Sequence, residues 1–183
     1  QALHSADTLA QSLGYKARPV DDLLAFHIAF GKTVPDISVN AVANLGYAEV
    51  RFLQPVYAGD TLSTSSTVIG LKQNSNGQSG VVYVRTRGLN QNDEVVLDYV
   101  RWVMVRKRDL EAPAPEVCVP DLTKAVAVSD LVIPAGLNFA NYDFELAGER
   151  YRAGDYTVGE VIEHVDGVTV EEAEHMLATR LWQ

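Results

Sequence analysis

Cysteine is nearly absent from this sequence, with Cys118 as the only one in 183 residues. One thiol cannot form an intrachain disulfide, so we expect a protein of the reducing cytoplasm. Long apolar runs are missing too, and we therefore expect no membrane partner. Basic charge is scarce, since the net charge is −9 and binding to nucleic acid needs clustered Lys and Arg. We accordingly expect no nucleic-acid partner.

Motifs for cofactors and metals are also missing. The sequence has no P-loop, no Gly-rich dinucleotide fingerprint and no zinc-spaced set of Cys and His. The GEVIEH segment around His164 has no second ligand at helical spacing. We therefore expect neither a cofactor nor a metal.

The length and the distribution of proline indicate two domains. A first domain is predicted over residues 1–108, and a proline-containing linker over residues 109–134. Residues 135–183 read as the start of a second domain that is too short to bury a core of its own. Because the sequence starts without Met and ends inside a predicted helix, we expect a fragment that lacks the start of its first domain and most of its second.

An unusually apolar segment, Val20–Gly31, predicts the central helix of the first domain. One face by the i, i+3, i+4 rule carries Val20, Leu23, Leu24, His27, Ile28 and Gly31. Alanine and phenylalanine fill most of the opposite face, so this helix is expected to be covered on several sides. A histidine in such a helix is more often a hydrogen-bonded core residue than a functional one.

Alternating apolar residues predict four strands after this helix, at 47–52, 61–72, 81–89 and 95–106. Turns are predicted at 57–60, 74–80 and 90–93. In the last strand, Leu97, Tyr99, Arg101 and Val103 share one face. A mostly antiparallel sheet that curls around one helix is an α+β fold.

Two shorter helices and a strand complete the prediction. A helix over residues 5–14 would have Ser5 as its N-cap and end at Gly14. In the second unit, residues 156–162 resemble a strand. A helix over residues 169–181 would begin with a capping box formed by Thr169 and Glu172.

Two segments resemble the MaoC-like dehydratase, or hydratase-2, family. The first is QALH-SADTLA, in which His4 and Ala10 match the motif Asp-x-Asn-Pro-Leu-His-x5-Ala, with Gln1 at the Asn position. The motif's aspartate would precede Gln1. The second is PVYAGDTL at 55–62, which is similar to the family's PV-x-x-GDTL turn. By this resemblance the fold is a hot-dog, a curled antiparallel sheet around a central helix.

More narrowly, four segments resemble the mesaconyl-CoA hydratase family, also called β-methylmalyl-CoA dehydratases. They are residues 18–52, GDTLSTSSTVIGLKQN, DEVVLDYVRWVMVRKRD and HVDGVTVEEAEHM. The likeness implies a tandem double hot-dog whose second unit is incomplete here. It also implies a lyase that reversibly hydrates a CoA thioester, with at least a dimer as its assembly. A hot-dog thioesterase and a non-catalytic acyl-CoA-binding half are the alternatives.

The resemblance also assigns site residues. His4 would be one half of an acid/base pair that holds a water molecule. The backbone N–H of Leu23 would donate to the thioester oxygen, and Asp22 would contact substrate. Asp21 and Asp22 replace the family's usual His-Gly, and helix capping is the alternative for both. A second catalytic segment would follow Gln183, so either half of the protein could hold the working site.

Six basic residues on or after the late strands are candidates for attracting CoA phosphates, with a solvated surface as the alternative. They are Arg85, Arg87, Arg101, Arg106, Lys107 and Arg108. We do not assign them to the site. His175 lies beside Glu171 and Glu172 and is expected to be solvated.

Overall fold

The structure is a computed structural model, and it describes residues 2–140, 142–145, 147–148 and 151–182. The chain forms two compact units. One contains Gln1–Pro19 and Gly136–Arg180, and the other contains Val20–Ala135 and Leu181–Gln183. The first 19 residues thus group with residues 136–180. The predicted domain boundaries at 108 and 134 stay a prediction.

The unit that contains Val20–Ala135 has a sheet of four antiparallel strands. They are β1 Ala41–Phe52, β2 Ser63–Gln73, β3 Ser79–Leu89 and β4 Val95–Arg106, in the spatial order β1-β4-β3-β2. Three of the strands match the prediction closely. β1 begins six residues earlier than predicted, because register shifts along its pairing with β4 interrupt the regular alternation.

The predicted central helix is α2, Asp22–Thr33, and it packs on this sheet. Its buried residues are Ala25, Ala29, Gly31 and Thr33. The expectation that this helix is covered on several sides is wrong within this unit, because Leu23 and Leu24 are 63% and 37% exposed, and His27 is exposed as well. Small side chains let the helix approach the sheet closely, whereas Leu23, Leu24 and His27 lie on its exposed side. Within this unit the sheet therefore covers one side of the helix, not several.

The core of this unit lies between α2 and β4. It contains Ala25, Ala29, Val56, Val96, Leu97 and Tyr99. Gly88 in β3 faces the helix, since a Cβ at this position would lie 3.5 Å from the Cβ of Ala29. Phe26 adds aromatic contact, with its ring centroid 5.0 Å from that of Tyr99.

The close approach at Ala29 gives a stability prediction. Ala29→Leu should lower the free energy of unfolding by about 1–3 kcal/mol, because the larger side chain has no room between α2 and the sheet. Chemical denaturation of the complete protein measures the change. The exposed Lys32→Leu on the same helix is the matched control and should change stability by less than about 0.5 kcal/mol. Equal effects of the two substitutions would contradict this packing.

The predicted turns at 57–60 and 90–93 are both present. In the first, the Tyr57 N–H donates to Asp60 Oδ2 at 2.8 Å, and Gly59 has φ +98°, which favours glycine. In the second, Asn90 Oδ1 accepts from the N–H groups of Asn92 and Glu94. Asx-type bonds of this kind explain why Asp and Asn mark both turns.

The predicted linker, residues 109–134, runs along the sheet. Cys118 forms an isolated antiparallel bridge with Leu71 of β2. Its N–H donates to the Leu71 carbonyl at 2.9 Å and its carbonyl accepts from Leu71 at 2.8 Å. Asp130 forms an ion pair with Arg51 of β1 at 3.9 Å. Backbone groups on the edge of β2 are thereby satisfied.

The other unit departs from the prediction at three places. Helix α1 spans Asp7–Ser12 with Ala6 as its N-cap, and Ser5 donates instead to the Ala2 carbonyl at 3.2 Å. Helix α3 spans Glu172–Trp182, so Thr169 lies before its start and is not its cap. Residues 156–162 contain a turn and irregular backbone where a strand was predicted. Among the residues that the structure describes, no helix has the length and hydropathy needed to cross a bilayer.

Candidate active site

His4 is held in place by a backbone hydrogen bond. It ends a 3₁₀ turn, Ala2–His4, and its half-buried ring places Nδ1 3.0 Å from the carbonyl oxygen of Pro19. A carbonyl can only accept, so Nδ1 must carry the hydrogen and donate it. In the neutral ring Nε2 is then the nitrogen that can take a proton, which suits a general base. A frayed terminal residue would not have this bond. Gln1, the other terminal residue of the motif, lies outside the described residues.

The N-terminus of α2 is capped by Asp21. Its Oδ1 accepts from the N–H of Leu23 at 2.9 Å and from the N–H of Leu24 at 3.3 Å. The capping alternative for Asp21 is therefore confirmed. The Leu23 N–H lies at the positive end of the helix dipole, but its hydrogen bond goes to the carboxylate of Asp21. Asp22 is the first helical residue and is exposed.

The PVYAGDTL segment anchors this helix start. The N–H of Val20 donates to the carbonyl of Val56 at 2.7 Å, and Val56 is buried in the core. Gln91 then bridges the turn, because it donates to Asp60 Oδ1 at 2.9 Å and accepts from the Thr61 N–H at 3.1 Å. The role of this segment in the chain is to position the beginning of α2.

A cluster of polar side chains, here called the interior polar group, is buried on the helix-facing side of the sheet. It includes Arg101, Thr86, Thr33 and Tyr99. Arg101 and Thr86 are 0% exposed and Thr33 is 4% exposed. Arg101 Nη2 donates to Thr33 Oγ1 at 2.8 Å, and its Cζ lies 4.6 Å from the centroid of the Phe30 ring. Thr86 is linked to Ser66 of β2 through their hydroxyl oxygens, 2.8 Å apart.

This buried group contains polar atoms that have no hydrogen-bond partner in the described structure. They are Tyr99 Oη, Arg101 Nε and Arg101 Nη1. Arg101 also forms no ion pair with a described residue. Burial raises the pKa of the Tyr99 hydroxyl and lowers the pKa of the Arg101 guanidinium. Desolvation disfavours the charged form in both cases.

A pocket of about 260 Å³ lies beside this group. Thr33, Ser66 and Val84 are among its lining residues, with Lys32 and Asp36 as the charged ones. Arg101 is joined to this wall twice, by its hydrogen bond to Thr33 and as the cross-strand partner of Val84. Thr33 and Ser66 thus line this pocket directly, whereas Arg101 lies behind its wall.

The other candidate basic residues have structural contacts or are exposed. Arg85 Nε and Arg87 Nε donate to Asp98 at 2.8 and 3.1 Å, and Arg85 also pairs with Glu49 at 3.4 Å. Lys107 donates to the carbonyl groups of Leu110 and Ala112. Arg106 and Arg108 are exposed. Since Arg101 is fully buried, the idea that it belongs to a phosphate-attracting surface is wrong.

Sequence reasoning placed Arg101 on the correct face of β4 but gave it no role. The signal was present, because it alternates with Leu97, Tyr99 and Val103 on the side predicted to be apolar. The remaining histidines do not join a cluster: His27, His164 and His175 are exposed. Among the described residues, no group of His, Cys, Asp and Glu is arranged to hold a metal ion.

Burial of Tyr99 predicts a pH dependence of stability. The folded pKa of its hydroxyl is above the ordinary 10.0, so the unfolded chain ionises first as the pH rises. The stability that Tyr99 contributes is present below pH 10 and is lost as the pH climbs through the folded pKa. In Tyr99→Phe the unfolding free energy should therefore fall less steeply above pH 10, measured by denaturation at several pH values. The control Tyr156→Phe, at an exposed position, should show the same pH dependence of the unfolding free energy as the unsubstituted protein. A steeper fall of the unfolding free energy in Tyr99→Phe would contradict a raised pKa of Tyr99.

Comparison with solved structures identifies the fold. The chain superposes on a MaoC domain protein dehydratase from Chloroflexus aurantiacus with a TM-score of 0.86 and 64% identity, covering 100% of this chain and 52% of the other. It also superposes on a Mycobacterium tuberculosis protein with a double hotdog fold, with a TM-score of 0.54 and 25% identity, over 82% of this chain and 46% of the other. The sheet and α2 are thus a hot-dog of the MaoC-like dehydratase class, as predicted.

Within that class the family is equally clear. Residues 2–179 match the model of the family described as mesaconyl-CoA hydratase. The chain is 71% identical to the mesaconyl-CoA hydratase of Cereibacter sphaeroides over 182 residues, which is 100% of this chain and 53% of the relative. It is 64% identical to the beta-methylmalyl-CoA dehydratase of Chloroflexus aurantiacus, over 100% of this chain and 52% of that protein. The chain belongs to the mesaconyl-CoA hydratase family. It spans about half the length of these two relatives.

Proposed function

We propose that the complete protein reversibly hydrates mesaconyl-CoA to β-methylmalyl-CoA, as a hydro-lyase acting on a CoA thioester. The observation that carries this proposal is the family match over residues 2–179. The hydrogen bond between His4 and Pro19 supports a role of His4 as a general base, because it leaves Nε2 of the neutral ring as the basic nitrogen.

The reaction adds the two parts of water across a conjugated double bond. A hydroxyl group bonds to the carbon β to the thioester, and a proton bonds to the α-carbon. His4 is the proposed base that takes a proton from the water, paired with an aspartate that we expect to precede Gln1. The same water-holding pair returns a proton to the α-carbon, so protons and electrons balance.

Negative charge develops on the thioester oxygen when the hydroxyl group bonds to the β-carbon. The proposed donor to this oxygen is the backbone N–H of Leu23 at the start of α2, where the helix dipole is favourable. Asp21 now accepts that N–H at 2.9 Å, so its carboxylate must yield the bond when substrate binds. Asp22, which is exposed, is proposed to accept an N–H from the amide-bearing arm of CoA.

The proposal extends to the organisation of the protein. Residues 1–108 would be the first hot-dog and residues 109–134 the connection, and residues 135–183 would begin a second hot-dog. The support is that the chain spans 53% of one relative and 52% of another. We also propose that the complete protein is a homo-oligomer of the cytoplasm. Size-exclusion chromatography with light scattering measures its oligomeric state.

Incubating the complete protein with mesaconyl-CoA tests the reaction. Conversion to β-methylmalyl-CoA, followed by mass spectrometry as a gain of one water, is the expected result. Release of free CoA thiol from the same substrate would indicate instead the thioesterase alternative. Binding measured by calorimetry without either product would indicate an acyl-CoA-binding protein.

A further inference from the structure

Arg101 is a cation inside the protein that no described residue neutralises. Its side chain is 0% exposed, and Nε and Nη1 lack hydrogen-bond partners. A guanidinium carries five N–H donors, and the hydroxyl of Thr33 accepts one from Nη2 at 2.8 Å. Whichever Nη2 hydrogen Thr33 takes, one complete two-donor edge of the guanidinium is buried and has no partner among the described residues.

Such an edge is shaped for a carboxylate. Two parallel N–H donors match its two oxygens, and this bidentate pairing is the strongest that arginine makes. The Cζ atom of Arg101 lies 4.6 Å from the centroid of the Phe30 ring, which is a cation–π contact. A buried arginine with an unpartnered two-donor edge therefore lacks the anion that would compensate its charge.

The fully buried Arg101 does not itself line the neighbouring pocket, and Thr33 and Val84 lie between them. An anion in this pocket therefore reaches the guanidinium only when a side chain of that wall moves. The volume of the pocket is about 260 Å³ and its wall includes Thr33 and Val84, the two residues that join it to Arg101. The charged groups on its wall, Lys32 and Asp36, are exposed and opposite in sign. They neither add to nor cancel the field of Arg101 strongly, because solvent screens both.

The proposed substrate has a carboxylate in the right position. Mesaconic acid is a methylated trans butenedioic acid, so its mono-CoA thioester keeps one free carboxylate, bonded to the carbon that receives the hydroxyl group. Along α2 the rise from Leu23 to Phe30 is about 10 Å. A trans four-carbon acyl group with a hydrogen bond at each end spans roughly the same length. A thioester oxygen at Leu23 would thus put the carboxylate at the level of Phe30 along α2, the residue whose ring contacts Arg101.

We propose that Arg101 binds the free carboxylate of a dicarboxylic acyl group and makes this site selective for CoA thioesters that carry one. Thr33 orients the guanidinium through its hydroxyl. This inference rests on the proposed function and adds the group that recognises the far end of the acyl chain.

Two saturated analogues test it without any chemical step. One is 2-methylsuccinyl-CoA, with the thioester next to the methyl-bearing carbon. The other is 2-methylbutanoyl-CoA, in which a methyl group replaces the carboxylate. Calorimetry on the complete protein should show tighter binding of the first. In Arg101→Met its Kd should rise roughly 10- to 150-fold, while the Kd of the second changes less than about twofold. The exposed Arg106→Met of the same strand should change neither.

Each other outcome has a definite meaning. Equal affinity of the unsubstituted protein for the two analogues would overturn the inference, with no variant needed. Equal weakening of both analogues in Arg101→Met would show a structural role and would overturn it too. Hydration of mesaconyl-CoA by the unsubstituted protein is scored separately. If hydration occurs without a preference for the carboxylate, the inference alone fails. If hydration does not occur and neither analogue binds, the proposed function fails with it.

Discussion

Replacing His4 by Ala should lower the rate of mesaconyl-CoA hydration by the complete protein roughly 10²- to 10⁴-fold, the usual contribution of a general base. The Nδ1 bond to the Pro19 carbonyl, at 3.0 Å, makes Nε2 the basic nitrogen of the ring, and Ala has no group that replaces it. The change should fall on kcat more than on KM, because the base acts on water and not on the CoA arm. Steady-state kinetics measures both.

Two variants separate the chemistry from the local fold. His4→Gln keeps a side-chain N–H that can donate to Pro19, so it should preserve the thermal midpoint while losing activity as His4→Ala does. The exposed His175→Ala should retain activity. Unchanged turnover in both His4 variants would remove this residue from the mechanism and transfer the reaction to the other half of the protein.

The sheet could be predicted because its signal is local. β4 alternates over Val95–Arg106, and turns rich in Asn, Asp and Gly separate the strands, so periodicity alone located three of the four. β1 was shortened because its register shifts break the period of two. The burial of α2 on only one side was missed for a different reason. Side-chain size decides which side of α2 is buried. The small Ala29 packs closely on the sheet at Gly88, and a side chain as large as that of Leu23 would not fit there.

The candidate site likewise contains residues that local sequence predicts and one whose environment it does not predict. His4 was found because a short motif surrounds it, and its bond to Pro19 bridges only 15 positions of sequence. Capping by Asp21 follows from its position before the helix. The environment of Arg101 depends on Thr33, 68 positions away, and on a ring of α2, and pairing over that separation has no periodic signature. Hydrophobicity patterns count an arginine as surface, so an interior one is seen only after the chain is folded.

Arg101→Met should make the protein more stable, by about 1–3 kcal/mol in the free energy of unfolding. Burial lowers the pKa of this guanidinium, which shows that the interior disfavours its charge, and one neutral hydroxyl is its single hydrogen-bond acceptor among the described residues. Methionine keeps most of the volume, retains contact with the Phe30 ring and has no charge to desolvate. Chemical denaturation of the complete protein without ligand measures the gain.

Arg101→Lys is the informative comparison, because it retains a buried charge without the planar edge and should not be stabilising. A loss of stability in Arg101→Met as large as that of a core truncation would mean that the guanidinium is satisfied in the apo protein and contributes to the fold. The expected pair of results is a more stable protein that no longer distinguishes the carboxylate-bearing analogue. An anion site of this kind lowers the free energy of unfolding of the ligand-free protein, because the partner that compensates the buried charge arrives only with the ligand.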